Sequence, residues 1–236
     1  MKSFGEVKRL WRYPVKSLLG ESCTELFVDC RGVVKDRWYA ISNSQGKFGS
    51  GKNTRRFRKI EGLFELKANY DGDVLLITFP DGRVFKSDDP NLDRELSSTL
   101  GQPVTLVSEK NISHFDADSL HLITTASLNW LRTLLPNSAI DERRFRPNLL
   151  IDLLGEESIE HNWIGQKFVI GRELEIEITD LTERCIMISL AQEELECDRH
   201  ILRTINEKSG HNFGVYAKII KPGIIRVGDK VNGDLS

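Results

Sequence analysis

The sequence predicts a mainly β fold with a few helices, in the α+β class, and three observations carry that expectation. Short runs of apolar–polar alternation recur at close spacing through the first 88 residues. Asp-Gly turn signals at 71–72 and 81–82 separate some of these runs. Helical spacing is confined to three short stretches, all beyond residue 90.

Residues 7–13 alternate roughly until Pro14 interrupts them, and residues 24–30 and 37–42 are the next candidate strands. Residues 61–67 and 74–79 continue the pattern, and Pro80-Asp81-Gly82-Arg83 turns the chain back into Val84-Phe85. Strands this short and close predict a small barrel or sandwich. Asp88-Asp89-Pro90-Asn91 breaks the pattern and divides the chain into 1–88 and 89–236. Asn91 can cap a helix over 92–100 that Gly101 stops. Leu128, Leu131, Leu134 and Leu135 share one face of a helix over 127–135, and a third helix is predicted over 199–208. The remaining strands are predicted over 104–108, 121–123, 149–153, 167–170, 174–178, 186–190, 215–220 and 224–227.

Composition narrows the function classes. A net charge of −2 gives no global basic field, so neither nucleic acid nor a membrane surface is an expected partner. An anion must instead be held by a local basic cluster. No stretch approaches the roughly 18 apolar residues of a membrane helix. The first nine residues lack the apolar run of a signal peptide. The four cysteines, Cys23, Cys30, Cys185 and Cys197, form no Cys-x-x-Cys pair, which predicts neither a disulfide framework nor structural zinc, and a reduced, cytoplasmic setting. Nucleotide-loop and nucleophile-elbow motifs are absent, and the four tryptophans are dispersed.

Several residues can carry chemistry. Cys185 lies where polar Asp180-Leu181-Thr182-Glu183-Arg184 runs into an apolar stretch, and Arg184 beside it would favour a thiolate. The alternative is a half-buried packing cysteine. Basic residues cluster at strand ends and turns: Lys16 with Ser17, Arg37, Lys52 with Arg55 and Arg56, and Arg143, Arg144 and Arg146. Arginine's planar donor fork suits phosphate, although solvated surface charge explains such clusters equally, and is the preferred reading for Lys52. Arg37 differs, because it opens a strand where burial is expected. Thr124-Thr125-Ala126-Ser127 stands between a strand and a helix, so it can cap that helix or help hold an anion. In Arg144-Phe145-Arg146-Pro147-Asn148, the proline is expected to keep Arg146 extended towards a phosphate, with Asn148 offering its amide to a heterocycle. His114 and His121 fit no standard metal spacing, and Asp116 and Asp118 between them read as a turn or cap.

Taken in order, these segments resemble the MOSC-domain family, named for the C-terminal domain of molybdenum cofactor sulfurase. Tyr13-Pro14-Val15-Lys16-Ser17 and Gly32-Val33-Val34-Lys35-Asp36-Arg37-Trp38 resemble the N-terminal β-barrel module that precedes such domains. Arg146-Pro147-Asn148, Arg184-Cys185, Phe213-Gly214-Val215-Tyr216 and Pro222-Gly223-Ile224-Ile225-Arg226-Val227-Gly228-Asp229 match the MOSC core. The resemblance implies a MOSC-type β-barrel module over 1–88, a MOSC domain over 89–236, and a molybdenum cofactor in the cleft between them. It implies Cys185 as metal ligand and catalytic residue. Lys16, Ser17 and Arg37 would grip the pterin's phosphate side from one module, and Arg146 and Asn148 from the other, with Thr125 and Ser127 contributing. The implied activity is an oxidoreductase transferring oxygen atoms from N-oxygenated or S-oxygenated small molecules, with electrons from a separate protein. A cofactor carrier delivering to an apo-molybdoenzyme, or a sulfur-transfer protein using Cys185, is the alternative. After the cysteine many reductase relatives read Val-Asp-Pro, whereas this chain reads Ile186-Met187-Ile188-Ser189-Leu190-Ala191-Gln192. The sulfurase's pyridoxal-phosphate domain has no counterpart here, so that cofactor is not expected.

Overall fold

A computed structural model describes residues 2–115 and 118–233; Asp116, expected in a turn, lies outside them. The larger unit is a closed seven-strand barrel. Around it run Leu149–Asp152, Leu120–Thr124, Asn212–Lys221, Leu174–Glu183, Lys167–Ile170, Lys230–Gly233 and Lys2–Arg12, and the last pairs with the first to close the ring. Leu10 stands opposite Leu149 and Val7 opposite Ile151 at that seam. Alternation explains the strands. In Leu174–Glu183, Leu174, Ile176 and Ile178 are buried while Glu175 and Glu177 between them are not, and Glu177 meets Lys218 of the neighbouring strand at 2.8 Å. The interior is filled by aliphatic side chains with Phe168 and Trp163, and Leu26, Val28, Val33 and Ile225 of a three-stranded flap pack on it.

The smaller unit joins a sheet of Val104–Ser108, Tyr39–Asn43, Phe48–Ser50 and Phe57–Lys59 to a meander of Lys67–Asp71, Val74–Thr78 and Val84–Lys86. Helix α1, Leu92–Thr99, buries Leu92 and Leu96 in this unit's core beside Leu75 and Ile77. Each core draws on segments from both sides of residue 88: Val7 and Leu10 lie in the barrel, Leu92 and Val104 in the smaller unit. Helices α2, Thr125–Leu134, and α3, Arg199–Ser209, cover one side of the barrel through Leu128, Leu131, Ile201 and Ile205. Among the described residues, no helix is long and apolar enough to cross a membrane.

Three local expectations are corrected. Residues 61–67 are not one strand: Gly62, at φ 79, opens a 3-10 turn over Leu63–Glu65, and the strand starts only at Lys67. Residues 186–190 form a 3-10 helix, Ile186–Ser189, rather than a strand, and bury adjacent Ile188 and Ser189 rather than alternate positions. Asn91 occupies the cap position of α1 in a helical backbone conformation with no side-chain cap; its own N–H donates to Asp89 Oδ1 at 2.8 Å.

Phe168 lies between Phe4 and Trp163, with ring centroids 4.9 and 5.1 Å away. Phe168→Ala should therefore cost about 3–5 kcal/mol of folding stability, measured by urea unfolding. A loss under about 1 kcal/mol would contradict this packing.

Candidate functional site

A cavity of about 210 Å³ opens between the two units. Six of the eight residues that the resemblance assigned to the site line it together: Lys16, Ser17 and Arg37 from the smaller unit's side, Arg146, Asn148 and Cys185 from the barrel's. Thr125 and Ser127 are not among its lining residues.

The cationic wall is built on an unusual backbone. Ser17, Arg37 and Arg146 hold φ at 65, 48 and 54°, where non-glycine residues are uncommon and strained. Side-chain bonds offset that strain. Asp36 is fully buried, accepts from the Tyr13 N–H at 2.7 Å, and ion-pairs with Arg37. Burial works against the Arg37 charge, and Asp36 more than offsets it, so its pKa is raised. Arg37 Nη2 donates to the Arg146 carbonyl at 3.2 Å, and Arg146 Nη1 to the Leu18 carbonyl at 2.6 Å. Both guanidiniums lie over the Tyr13 ring, 4.7 and 4.2 Å from its centroid. The expected extended conformation of Arg146 is thus corrected. The residue is left-handed, which also avoids the right-handed helical region that Pro147 disfavours and aims its carbonyl at Arg37. Lys16 is buried, donates to the His114 carbonyl at 3.0 Å, and sits 4.6 Å from the Phe57 ring centroid.

Cys185 follows the end of the Leu174–Glu183 strand, half-buried at the start of the 3-10 turn. Arg184 beside it is anchored inward. Its Nε donates to the Phe213 carbonyl at 2.8 Å, Nη1 to the Phe145 carbonyl at 3.0 Å, and Nη2 meets His121 Nε2. Burial pulls its pKa down to about 10, which still leaves it charged at neutral pH. Carbonyl oxygens and His121 hold the guanidinium in place, and Glu160 acts on its charge only through space. His121 Nδ1 lies 3.2 Å from the Arg146 carbonyl. Burial, then the Arg184 charge, push the imidazole pKa well below its usual value, so His121 is neutral. With Nε2 accepting from a guanidinium, the proton sits on Nδ1 and donates to Arg146.

The other basic residues divide by partner. Lys52 is exposed but lines the cavity. Arg56 bonds to the Ser113 carbonyl. Arg143 is held by Asp141, Glu193 and Glu194. Buried Arg144 donates to the carbonyls of Ala139 and Glu196 at 3.0 and 2.8 Å, fixing the segment after the cysteine. Asn148 uses its amide structurally: Oδ1 accepts from the His121 N–H at 3.2 Å, and Nδ2 donates to the Trp11 carbonyl at 3.3 Å. Thr124, not its neighbours, caps α2 through the Ser127 N–H. Thr125 Oγ1 donates to the Leu153 carbonyl at 2.8 Å, and Ser127 bonds to buried Glu160. Sequence reasoning assigned no role to Tyr13, Asp36 or His121. The first two stood inside the resembling motifs, whereas His121 was weighed only as a metal ligand with His114 and set aside on spacing.

A closed β-barrel joined to a smaller β unit, with a thiol and buried cations in the cleft between them, defines a class of two-unit β proteins. The chain belongs to the MOSC domain family: residues 102–232 match the MOSC domain and residues 4–135 the MOSC N-terminal beta barrel domain. It is 24% identical to mitochondrial amidoxime reducing component 2 of Rattus norvegicus, over 98% of this chain and 84% of that protein. It is 25% identical to mitochondrial amidoxime-reducing component 1 of Mus musculus, over 98% and 83%. The solved YuaD protein from Bacillus subtilis aligns over 96% of this chain and 93% of its own, with a TM-score of 0.49 and 9% identity.

Two predictions follow from this geometry. A Cβ on Gly214 would fall 2.6 Å from Ile123 Cγ2 and 2.9 Å from His121 Nε2, at a backbone φ of 82°. Gly214→Ala should displace the His121–Arg184 pair and cost about 2–3 kcal/mol, read by urea unfolding. An unchanged unfolding midpoint would refute the close approach. Glu160 is fully buried and burial raises its pKa. Its stabilising contribution is complete below the unfolded value and lost as pH rises through the folded one. Relative to the parent, Glu160→Gln should gain in Tm as pH rises above the ordinary glutamate range; a pH-independent difference by calorimetry would exclude a raised pKa.

Proposed function

We propose that this chain binds a molybdenum–pterin cofactor in the cleft, with the Cys185 thiolate as the protein's ligand to the metal. We further propose that it reduces N-oxygenated or S-oxygenated small molecules. One observation carries this reading: a single cavity gathers Cys185 with Lys16 and Arg37 from one unit and Arg146 from the other. The donor set fits such a group. Among the described residues, no three His, Cys, Asp or Glu side chains converge as a metal site. A cofactor that brings its own dithiolene ligands needs only one soft protein ligand, and a thiolate supplies it. Its phosphate needs buried cations, and this cleft holds them.

Lys16, Ser17, Arg37 and Arg146 would hold the phosphate side. Arg184 keeps a fixed positive charge beside the sulfur, and neutral His121 positions both Arg184 and the Arg146 backbone. Asn148 sets the spacing between strands and leaves the wall rigid. The bound cofactor supplies the two-electron oxygen-atom chemistry. With an amidoxime as substrate, two electrons and two protons are consumed, the N–O bond breaks, and an amidine and water are formed. The four cysteines lack iron–sulfur spacing, so electrons come from a separate protein. The names of the rat and mouse relatives support the substrate class.

Protein expressed in a cofactor-competent host should contain molybdenum and reduce an amidoxime with an artificial reductant. Cys185→Ala should lose both while retaining its circular dichroism spectrum. Equal metal content in the two proteins would refute the ligand assignment. Full metal content without turnover, together with transfer to an apo-enzyme, would replace the reductase by a carrier.

A further inference from the structure

Positive charge is spread unevenly along this chain. Between Asp36 and Glu61 the sequence holds seven lysines and arginines and no acid, and six of the seven fall within residues 47–59. With the whole chain at −2, those six leave all the other residues together at −8. Lys52, Arg55, Arg56, Arg58 and Lys59 are exposed. Arg56 reaches the Ser113 carbonyl, and Lys59 pairs with Glu61 at 2.8 Å. Among the described residues, Lys47, Lys52, Arg55 and Arg58 form no ion pair.

The fold holds this segment still and sets it beside the cleft. Asn53 Oδ1 accepts from the Lys59 N–H at 2.9 Å, and Thr54 Oγ1 from the Phe57 N–H at 3.0 Å. Phe57 is buried with Phe48 and Ala40. Ser50 and Lys52 line the same cavity as Cys185. Gly51 between them donates its N–H to Met187 Sδ at 2.9 Å, two residues past that cysteine. A fixed positive patch at the mouth of the cleft attracts an acidic partner, while the negative remainder of the chain repels it elsewhere. That contrast speeds encounter and fixes its orientation. Both aromatic residues of the segment are buried, so it offers no stacking platform for single-stranded nucleic acid. It also exposes no large apolar side chain to enter a bilayer, which leaves the surface of an acidic protein as the best match.

We propose that residues 47–59 are the docking surface for an acidic electron-transfer protein. The proposal rests on the reductase reading above, and it seats the donor over the cleft in which that reading puts the cofactor. Each amidoxime cleaved to amidine and water consumes two electrons and two protons. Two one-electron donors dock in turn and are oxidised, and the protons come from solvent.

The test uses the whole chain loaded with cofactor in a competent host, an amidoxime, and reduced plant-type iron–sulfur ferredoxin as the acidic donor. Turnover at saturating reduced methyl viologen reads the centre without docking. Arg55→Glu/Arg58→Glu should lower kcat/KM for ferredoxin at least about tenfold at roughly 20 mM salt, with the gap closing near roughly 500 mM. The viologen rate should not change. Arg172→Glu/Lys221→Glu makes the same charge change at the far end of the strand that leads to Cys185, and should alter the ferredoxin rate less than about twofold. Equal losses in the two double variants overturn the proposal. So does a ferredoxin rate that Arg55→Glu/Arg58→Glu leaves intact, or one that is absent while viologen supports turnover. Loss of binding to vesicles of anionic lipid, with the ferredoxin rate intact, gives the patch to a membrane and overturns it as well. A parent protein without viologen-driven turnover marks the failure of the reductase reading itself, and the docking proposal falls with it.

Discussion

The two units are held in register by a reciprocal clasp across one aromatic ring. Arg37 reaches from the smaller unit to the Arg146 carbonyl, and Arg146 reaches back from the barrel side to the Leu18 carbonyl. Tyr13 carries both guanidiniums on its ring, and Asp36 fixes Arg37 and the Tyr13 backbone together. Removing any one member leaves a buried charge or a strained backbone without its compensation. The wall of the cleft and the joint between the units are therefore one object. Coupled buried polar groups of this kind set a single arrangement rather than add bulk stability.

Buried arginines in this protein follow a second rule: away from Asp36 they are anchored on backbone carbonyls. Arg184 and Arg144 both use carbonyl acceptors, and burial lowers the pKa of each. A carbonyl fixes a guanidinium in space without neutralising it. Arg184 thus contributes positive potential next to Cys185, while Arg144 holds the 188–196 segment in place. The positive-φ residues cluster where these anchors are, in keeping with strain concentrated at functional sites.

Much of the barrel was legible because its long strands bury one face. The alternation of 174–178 and 215–220 is the physical signature of a sheet with a filled interior. Strands of two or three residues, such as Val15–Lys16, Glu21–Cys23 and Gly32–Val33, are too short to show a period, and tertiary contacts define them. The apolar run after Cys185 failed for a related reason, since four residues fit a strand or a 3-10 turn equally. In the cleft, Lys16, Arg37, Arg146 and Cys185 were legible as chemistry. Their joint placement was legible only by resemblance, because the chain separates them by up to about 170 positions. Thr125 and Ser127 lie outside the lining of the cleft because their hydroxyls turn to the Leu153 backbone and to buried Glu160, partners that the local sequence does not reveal.

The barrel's seam has a bearing on how the molecule comes into being. The strand Lys2–Arg12 lies between Leu149–Asp152 and Lys230–Gly233, so segments more than about 220 positions apart in the chain are stitched side by side. The ring stays open until Lys230–Gly233 has been made, and Lys2–Arg12 must wait without that partner or be shielded meanwhile. Contacts of such long sequence separation make assembly slow. A fragment starting near residue 100, though it would carry Cys185, lacks the stave that shuts the cylinder.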